Sequence, residues 1–503
     1  MKDRPLNLVI SIVIVALSAL GGGLAGILFR VAVVLPLQDG VRAEWAAWKS
    51  RENPLASQLV SAGENVAIAV QKGEVRPLPG SLDEIPLFNS NSPEWVKEEG
   101  ILLSTFPPYG TYYPDAHLDY PLRGEFELFA HHFVQNPPDG QTLYLGILVY
   151  NPNLEAVTLE IDRAASYLLE PDAPFQEKPP MVKNPDGAVY SGPGIRAVDA
   201  VMRGKRQPDF PRRLEIPPEE SRMLLNQPIP VKGLQRQVNG RSTFMRLNSK
   251  LGGDDDTPAD VYIASLAMYA KIHPDGGERA PELIEWQRLL DTGNLAQPRD
   301  KVPTPPEQTG GQLIYSRVAG VQIGSKWEAD LVDSGRDTLA IPEPGRGISY
   351  VVSTVRAGTL GTGQIQAADL AVRYPDTAYQ SHGNYGVRYD LTLPLFNPAE
   401  KTQVVTVTLE TPQKEEKLSE GGLIFRQPPW DFPYFRGTVR LRYQGGWGRE
   451  KTSYFHLWHR RGQIVDPLLT MKLKPQETRR VEVDFRYPPD ATPPQVLTVR
   501  TVE

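Results

Sequence analysis

The residues best suited to hold a metal ion lie in the sequence DAHLDY and in the nearby sequence LFAHH. These candidate ligands are Asp115, His117, Asp119 and His131. Because alternate residues of a β-strand point to the same face, the first three could present two carboxylates and an imidazole together, a set that suits zinc or manganese. The alternative is that the aspartates flank a loop turn and that the adjacent His131 and His132 point to opposite faces of a strand. Only one of these two histidines could then join a metal site.

A second candidate site is the sequence RYPDTAYQSHGNYG, which runs from Arg373 to Gly386. Its candidate binding residues are Tyr374, Asp376, Tyr379, His382, Asn384 and Tyr385. Exposed tyrosines beside amides and a histidine are typical of surfaces that bind carbohydrate or peptide, because the aromatic face stacks while its polar edge forms hydrogen bonds. The alternative is a long connection whose tyrosines cover the ends of a hydrophobic core.

No sequence motif identifies a reaction. The chain has no cysteine, which excludes thiol chemistry, thiolate metal sites and disulfides. The sequence GTLGTG at residues 358–363 lacks both the spacing of a dinucleotide-binding turn and the lysine of a phosphate-binding loop, so we expect no nucleotide. Neither Gly-x-Ser-x-Gly nor Ser-x-x-Lys occurs, which disfavours the common acyl-transfer hydrolases. We therefore expect no cofactor and favour a non-catalytic role over an enzymatic one.

The elements that must position these residues are short β-strands. Proline makes up 48 of 503 residues, nearly twice the usual share of about 5%, and divides the chain into short extended segments. TLYLGILVY is apolar throughout and predicts an interior strand, and AVTLEID, after the turn Asn151-Pro152, alternates with period two. The same order returns in YDLTLPLF, the turn Asn397-Pro398 and VVTVTLE. These patterns predict a mostly β fold of two immunoglobulin-like antiparallel β-sandwich domains, preceded by one N-terminal transmembrane helix.

Other elements are predicted from the same kind of pattern. A helix in the middle of the chain has Pro281 at its first position and Gly293 just past its end. Its apolar stripe consists of Leu283, Trp286 and Leu290. We also expect STFMRLNS to pair with VYIASLAMYA, and GTVRLRY to pair with SYFHLWHR.

The first apolar run, from Pro5 to Phe29, carries no charged residue. A helix of this length crosses a hydrocarbon core of about 30 Å, so the run is either a retained membrane anchor or a signal peptide. Cleavage after Ala25 would fit a signal peptide, but the following residues stay apolar as far as Leu37, which favours the anchor. We expect a single-pass inner-membrane protein with its large domain in the periplasm, or a secreted periplasmic protein if the segment is cleaved.

The predicted organisation has five parts. They are a transmembrane anchor or signal segment at 1–37, a juxtamembrane helix and proline-rich strap at 38–99, a first β-sandwich domain at 100–280, a short helix and linker at 281–311, and a second β-sandwich domain at 312–503. The boundary between the sandwich domains is placed in AQPRDKVPTPPEQTGG, residues 296–311, which is rich in proline, glycine and charge.

Seven longer stretches carry a family resemblance. They are EVRPLPGSLDEIPLFNSNSPE, EEGILLSTFPP, FELFAHH, ERAPELIEWQRLL, GTLGTGQIQ, RYPDTAYQSHGNYGVRYDLTLPLFNP and YPPDATPPQVLTV. These stretches resemble an uncharacterised family of cyanobacterial cell-envelope proteins, known only as a domain of unknown function, and the likeness runs roughly from Glu74 to the C-terminus. The resemblance implies a photosynthetic bacterial source and export to the periplasm or outer envelope. It implies no activity, ligand or catalytic residue.

Charge and location together define the expected function. The chain has 54 basic and 60 acidic residues and a net charge of -6, without the basic excess that binding to nucleic acid needs. We expect a membrane-anchored periplasmic or cell-envelope protein with a non-catalytic binding or structural role, which engages peptidoglycan, another polysaccharide or an envelope protein. The alternative is a metal-dependent envelope enzyme that acts on a polysaccharide or a peptide.

Overall fold

The computed structural model describes residues 67–252, 256–308, 310–419, 421–445 and 449–502. This part of the chain is mostly β-structure, as predicted. The predicted membrane segment at 1–37 and residues 38–66 of the predicted juxtamembrane segment lie outside the described residues. Within the described ranges, no helix is both long enough and apolar enough to cross a membrane.

The strands are mostly short and follow one another closely along the chain. The first fifteen are β1 (Ala67–Arg76), β2 (Ser81–Leu82), β3 (Pro86–Ser90), β4 (Trp95–Val96), β5 (Gly100–Ser104), β6 (Leu122–Gln135), β7 (Leu143–Tyr150), β8 (Val157–Leu168), β9 (Met181–Lys183), β10 (Arg213–Ile216), β11 (Ser221–Ile229), β12 (Val238–Leu251), β13 (Asp260–Tyr269), β14 (Lys271–Ile272) and β15 (Glu278–Arg279). The others are β16 (Ala319–Ile323), β17 (Lys326–Asp330), β18 (Leu339–Ala340), β19 (Gly347–Val352), β20 (Ala368–Arg373), β21 (Gln380–Ser381), β22 (Arg388–Phe396), β23 (Gln403–Glu410), β24 (Gly422–Gln427), β25 (Pro433–Gln444), β26 (Glu450–Arg460), β27 (Leu469–Leu473), β28 (Thr478–Arg486) and β29 (Gln495–Thr501).

Two α-helices belong to the described residues, α1 (Pro193–Met202) and α2 (Leu283–Thr292). Helix α2 corresponds to the predicted helix, but it begins at Leu283 and not at Pro281, because Glu282 is the N-cap and forms a reciprocal capping box with Glu285. Its Trp286 is fully buried. Helix α1 was missed because its sequence starts with Gly-Pro-Gly, which is typical of a turn.

The strands form three large sheets and a ribbon of β14 with β15. The prediction of antiparallel sheets is right only in part, because each large sheet is mixed: β1 pairs in parallel with β19, β17 with β22, and β3 with β6. The largest sheet has 13 strands, with the order β10-β8-β12-β6-β3-β16-β20-β21 and a branch that contains β4, β5, β7, β11 and β13. An eight-stranded sheet has the order β2-β17-β22-β28-β25-β26-β9, with β18 paired to β22. A six-stranded sheet has the order β24-β1-β19-β29-β23-β27.

One of the two predicted strand pairs forms. GTVRLRY and SYFHLWHR lie on β25 and β26, which pair along their length. The predicted pairing of STFMRLNS with VYIASLAMYA is wrong, because β12 lies between β6 and β8, whereas β13 pairs with β5, β6 and β7. Both β12 and β13 have other strands paired along both of their edges. They are therefore not neighbours in the sheet, although they follow one another in the sequence.

A four-strand unit occurs twice in the fold. In the first copy β7 pairs with β11 and β8 pairs with β10, and in the second copy β22 pairs with β28 and β23 pairs with β27. The turn asparagines Asn151 and Asn397 have matching roles, because each buried amide nitrogen lies within hydrogen-bond distance of three backbone carbonyls, at 2.7–3.1 Å and at 2.9–3.0 Å respectively. The recurrence seen in the sequence is therefore also a recurrence of strand pairing and hydrogen bonding.

Strands from both sides of the predicted domain boundary share sheets. Strand β1 lies between β19 and β24, and β3 pairs with β16. One large core cluster is centred on the 13-stranded sheet and includes Phe126 and Ile147. Another joins the six- and eight-stranded sheets and includes Val407 and Phe485. The boundary at 281–311 stays a prediction, and the structure adds that paired strands connect the two sides of it.

Candidate functional site

The tyrosine-rich segment connects β20 to β22 and contains β21, which pairs back onto β20. Its first tyrosine, Tyr374, is fully buried. The Tyr374 hydroxyl donates a hydrogen bond of 2.8 Å to the carbonyl of Ala116 and accepts one of 3.0 Å from the Ser104 amide. Burial raises the pKa of this hydroxyl. Tyr374 is therefore part of the core and is not available to a ligand.

Three further residues of the segment also hold the fold together. Asp376 accepts two hydrogen bonds of 2.8 Å from the Arg299 guanidinium. Asn384 is buried, and its side chain forms hydrogen bonds to the backbone at the start of β20 and just before it. The Tyr385 hydroxyl donates to the carbonyl of Ala491 at 2.8 Å. For these residues, the contacts agree with the alternative that the segment covers the end of a core.

The remaining two predicted residues, Tyr379 and His382, line a cavity of about 250 Å³. One wall comes from the proline-rich connection before β16, and the other comes from the turn after β19 and from the segment around β20 and β21. The lining residues are Pro303, Thr304, Pro306, Leu313, Ile314, Tyr315, Val355, Arg356, Ile365, Ala367, Tyr379, Gln380 and His382. Pockets for drug-sized ligands span about 300–1,000 Å³, so this cavity suits a single ring-sized group.

The polar edges of two rings in the cavity wall are held in place. The ring centroids of Tyr315 and His382 lie 5.0 Å apart. The Tyr315 hydroxyl donates to the carbonyl of Arg356, and burial raises its pKa to about 12. His382 Nε2 bonds the carbonyl of Ser316, which can only accept, so Nε2 carries the hydrogen. Burial lowers the pKa of His382, so both rings are uncharged at neutral pH.

Two cations lie against the tyrosine rings of the cavity. The Arg373 guanidinium is 3.7 Å from the ring centroid of Tyr379, and Lys414 Nζ is 5.8 Å from that of Tyr315. Both distances are within the range of about 6 Å for a cation–π contact. Burial, and then the charge of Arg461, lowers the pKa of Lys414 to about 8. Among the described lining residues there is no carboxylate, so no acidic side chain contributes to this wall.

The structure does not bring the four predicted metal ligands together. Asp115 lies in a short 3-10 turn before β6 and is exposed, as is Asp119. His117 is buried, its Nδ1 lies 2.9 Å from Ser104 Oγ, and burial lowers its pKa. His131 lies apart from this loop, on β6.

In the described ranges, the one group of three potential ligands that converges is Glu94, His131 and Asp490, whose ligand atoms lie within 4.8 Å of one another. Sequence reasoning identified His131 but missed the two carboxylates. Each follows a proline, in SPE and in PPD, and no local spacing links either of them to His131. Only the topology does so, since Glu94 precedes β4, which pairs with β6, and Asp490 lies between β28 and β29.

Comparisons with known proteins identify a family but not a function. No curated protein matches the chain. A solved structure described as "Crystal structure of Lac15 from a marine microbial metagenome" is 9% identical, with a TM-score of 0.10, and therefore carries no argument. That match covers 85% of this chain and 64% of the other, so the chain spans less than two thirds of that structure's length. A family model described as "Protein of unknown function (DUF3370)" matches residues 73–501, most of the chain, and the protein therefore belongs to that family.

Proposed function

We propose that this protein is a non-catalytic binding protein of the cell envelope that engages a cell-wall polymer through the cavity lined by Tyr315, Tyr379 and His382. The observation that carries the proposal is this cavity, which joins aromatic rings, an amide and an imidazole in a space suited to one ring. The apolar faces of sugar rings stack on aromatic side chains, while their hydroxyl groups need hydrogen-bonding partners at the edges. The side chains of Gln380 and Arg356, both half-buried in the lining, can supply such partners.

The proposed location is the periplasmic side of the inner membrane, in a cyanobacterial cell envelope. It is supported by the apolar run from Pro5 to Phe29 and by the resemblance of the longer stretches to cell-envelope proteins. N-terminal sequencing of the mature protein tests the anchor. A start at Met1 is expected, whereas a start near Gly26 would make the protein soluble in the periplasm.

The proposed architecture behind the cavity is a pair of immunoglobulin-like β-sandwich domains. The four-strand unit that occurs twice, with matching hydrogen bonds at Asn151 and Asn397, supports two domains of one class. Each β-sandwich has its own hydrophobic core between two sheets, and the presence of two large core clusters agrees with two such domains. The cavity would then lie beside the connection between them, where ligand sites commonly occur.

Sedimentation of the full-length protein in detergent with isolated cell-wall sacculi tests the proposed binding. We expect the wild-type chain to sediment with the sacculi. Tyr379→Ala should weaken binding by about 2–13-fold, because a stacked aromatic pair contributes about 0.5–1.5 kcal/mol. The matched control is Tyr112→Ala, since Tyr112 is 78% exposed and lies outside the cavity lining. Equal losses in both variants, or no retention of the wild-type chain, would contradict the proposal.

The alternative of a metal-dependent envelope enzyme stays a prediction. It depends on Asp115, His117, Asp119 and a histidine of LFAHH acting together, and the described positions of these residues do not favour it. We therefore propose no reaction.

A further inference from the structure

The convergent group Glu94, His131 and Asp490 is buried and separate from the proposed binding cavity. The exposed fraction is 2% for His131 and 6% for Glu94, and the Asp490 side chain is 12% exposed. None of the three lines the cavity. Burying two carboxylates and an imidazole together is costly unless they are compensated, so the group needs a physical reason to exist.

The orientation of His131 points one ring nitrogen into the group. Its Nδ1 lies 2.6 Å from Ser242 Oγ. Its Nε2 is buried and forms no hydrogen bond among the described residues. The carboxylate oxygen that faces it, Asp490 Oδ1, is 3.7 Å away. In the tautomer whose Nδ1–H donates to Ser242, the Nε2 lone pair faces the two carboxylates. This is how a metal-binding histidine is usually held, with its other nitrogen fixed by a hydrogen bond.

The spacing of the three ligand atoms fits a small divalent ion. Metal bonds of about 2.0–2.1 Å in a tetrahedral site place neighbouring ligand atoms about 3.3 Å apart. The 3.7 Å between His131 Nε2 and Asp490 Oδ1 is too long for a hydrogen bond but close to that separation. The remaining atoms lie within 4.8 Å, a difference that small side-chain rotations can close.

The surrounding charges also favour a cation. Arg317 donates from Nε to Glu94 Oε2 at 2.8 Å and from Nη1 to Asp300 Oδ1 at 2.6 Å. Asp490 brings a third carboxylate to this cluster. Arg317 also fixes the orientation of Glu94, the role that outer partners of metal ligands play.

We infer that Glu94, His131 and Asp490 bind one divalent transition-metal ion, zinc or manganese, in a structural site. One imidazole with two carboxylates suits these metals better than magnesium or calcium, which prefer all-oxygen sites. The site is structural because its ligands are too buried to admit a substrate. Its effect is to tie the loop between β28 and β29 to β6, and it does not depend on the proposed binding function.

The test uses the full-length chain without a histidine tag, stripped of metal with chelator and dialysed against Zn²⁺ or Mn²⁺ alone. Elemental analysis should then find one equivalent of one of these metals. Glu94→Gln and Asp490→Asn should each weaken its binding at least 10-fold. The matched control is Asp115→Asn, which removes a carboxylate that the sequence suggested as a ligand but that lies outside the group, and it should leave metal affinity unchanged.

A measurement on the wild-type chain keeps the test sound if a variant fails to fold. Bound metal stabilises only the folded state, so metal at 100 times its Kd should raise the melting temperature by about 3 °C for a chain of this size. No stoichiometric metal together with an unchanged melting temperature would overturn the inference. So would metal binding that survives Glu94→Gln and Asp490→Asn, or that is lost in Asp115→Asn.

Discussion

Replacing Glu127 by glutamine should destabilise the protein strongly, because the carboxylate neutralises a buried arginine of another sheet. Glu127 lies on β6 of the 13-stranded sheet, and Arg486 lies on β28 of the eight-stranded sheet. They form two hydrogen bonds of 2.6 and 2.7 Å, with side-chain exposures of 1% and 3%. The pair therefore joins two parts of the fold in a region without solvent screening.

The expected loss in the free energy of unfolding follows from the positive charge of Arg486 that stays buried. In Glu127→Gln the shape is kept, but the guanidinium of Arg486 stays buried without a counter-charge, although its bond to the carbonyl of Gly386 remains. Removing one partner of a buried ion pair costs about 3–5 kcal/mol. For about 430 folded residues, the entropy of unfolding is about 0.9 kcal/mol per degree, so the melting temperature should fall by about 3–6 °C.

Urea unfolding, followed by tryptophan fluorescence, measures this free energy. The double variant Glu127→Leu with Arg486→Met replaces the pair by apolar groups of similar volume and should lie within about 1.5 kcal/mol of the wild type. The control is Glu125→Gln, which removes a pair with Arg246 whose carboxylate is 53% exposed, and it should cost at most about 0.5 kcal/mol. A cost of less than about 1 kcal/mol for Glu127→Gln, or a double variant as unstable as the single one, would contradict this prediction.

Three further predictions concern stability. Burial, with the charges of nearby cations, lowers the pKa of His456 to about 3, so unfolding takes up a proton at any pH below the ordinary pKa of 6.5. The free energy of unfolding should therefore decrease as the pH is lowered, by about 2 kcal/mol at pH 5. His456→Leu, which loses no hydrogen bond among the described residues, should remove this decrease in urea unfolding at pH 5 and 7. Asn151→Ala and Asn397→Ala should each cost about 2–4 kcal/mol in urea unfolding, because each removes a buried amide whose two N–H groups serve three backbone carbonyls. Gly146→Ala should cost about 1–3 kcal/mol in the same assay, because its Cβ would lie 2.8 Å from the Trp286 ring.

Each of these three predictions has an outcome that contradicts it. A pH dependence that is unchanged in His456→Leu would show that the buried imidazole does not cause the acid sensitivity. Unequal effects of the two asparagine variants would argue against equivalent turns. For the glycine variant, the control is Gly310→Ala, where a Cβ meets nothing within 4 Å, and equal costs at both positions would show that contact with the indole is not responsible.

Local patterns predicted the strands and the second helix well. On β8, the alternation of AVTLEID placed Val157, Leu159 and Ile161 on one face, and all three are buried. The apolar stripe of α2 likewise placed Trp286 and Leu290 in contact with the core. These features were predictable because a period of two or 3.6 residues records which face is buried.

The functional regions were only partly predictable, because they depend on contacts between distant residues. In the tyrosine-rich segment no periodic pattern separates Tyr374, which is buried, from Tyr379, which lines the cavity. The opposite wall comes partly from the segment interpreted as a linker, which supplies Pro303, Thr304 and Pro306, and partly from the residues just after it, which include Tyr315. The group at His131 includes carboxylates from both ends of the matched region, and sequence spacing carries no information about such contacts.

The affinity of the cavity for soluble fragments of cell-wall glycan tests the proposed binding function most directly. Ala367 is half-buried in the lining, and Ala367→Phe would place a ring in the space that the proposal assigns to a sugar. Titration calorimetry with the full-length wild-type chain should detect binding, and Ala367→Phe should weaken it at least 10-fold while leaving the melting temperature unchanged. Equal affinity of the two chains, or no binding by the wild-type chain, would contradict the proposed function.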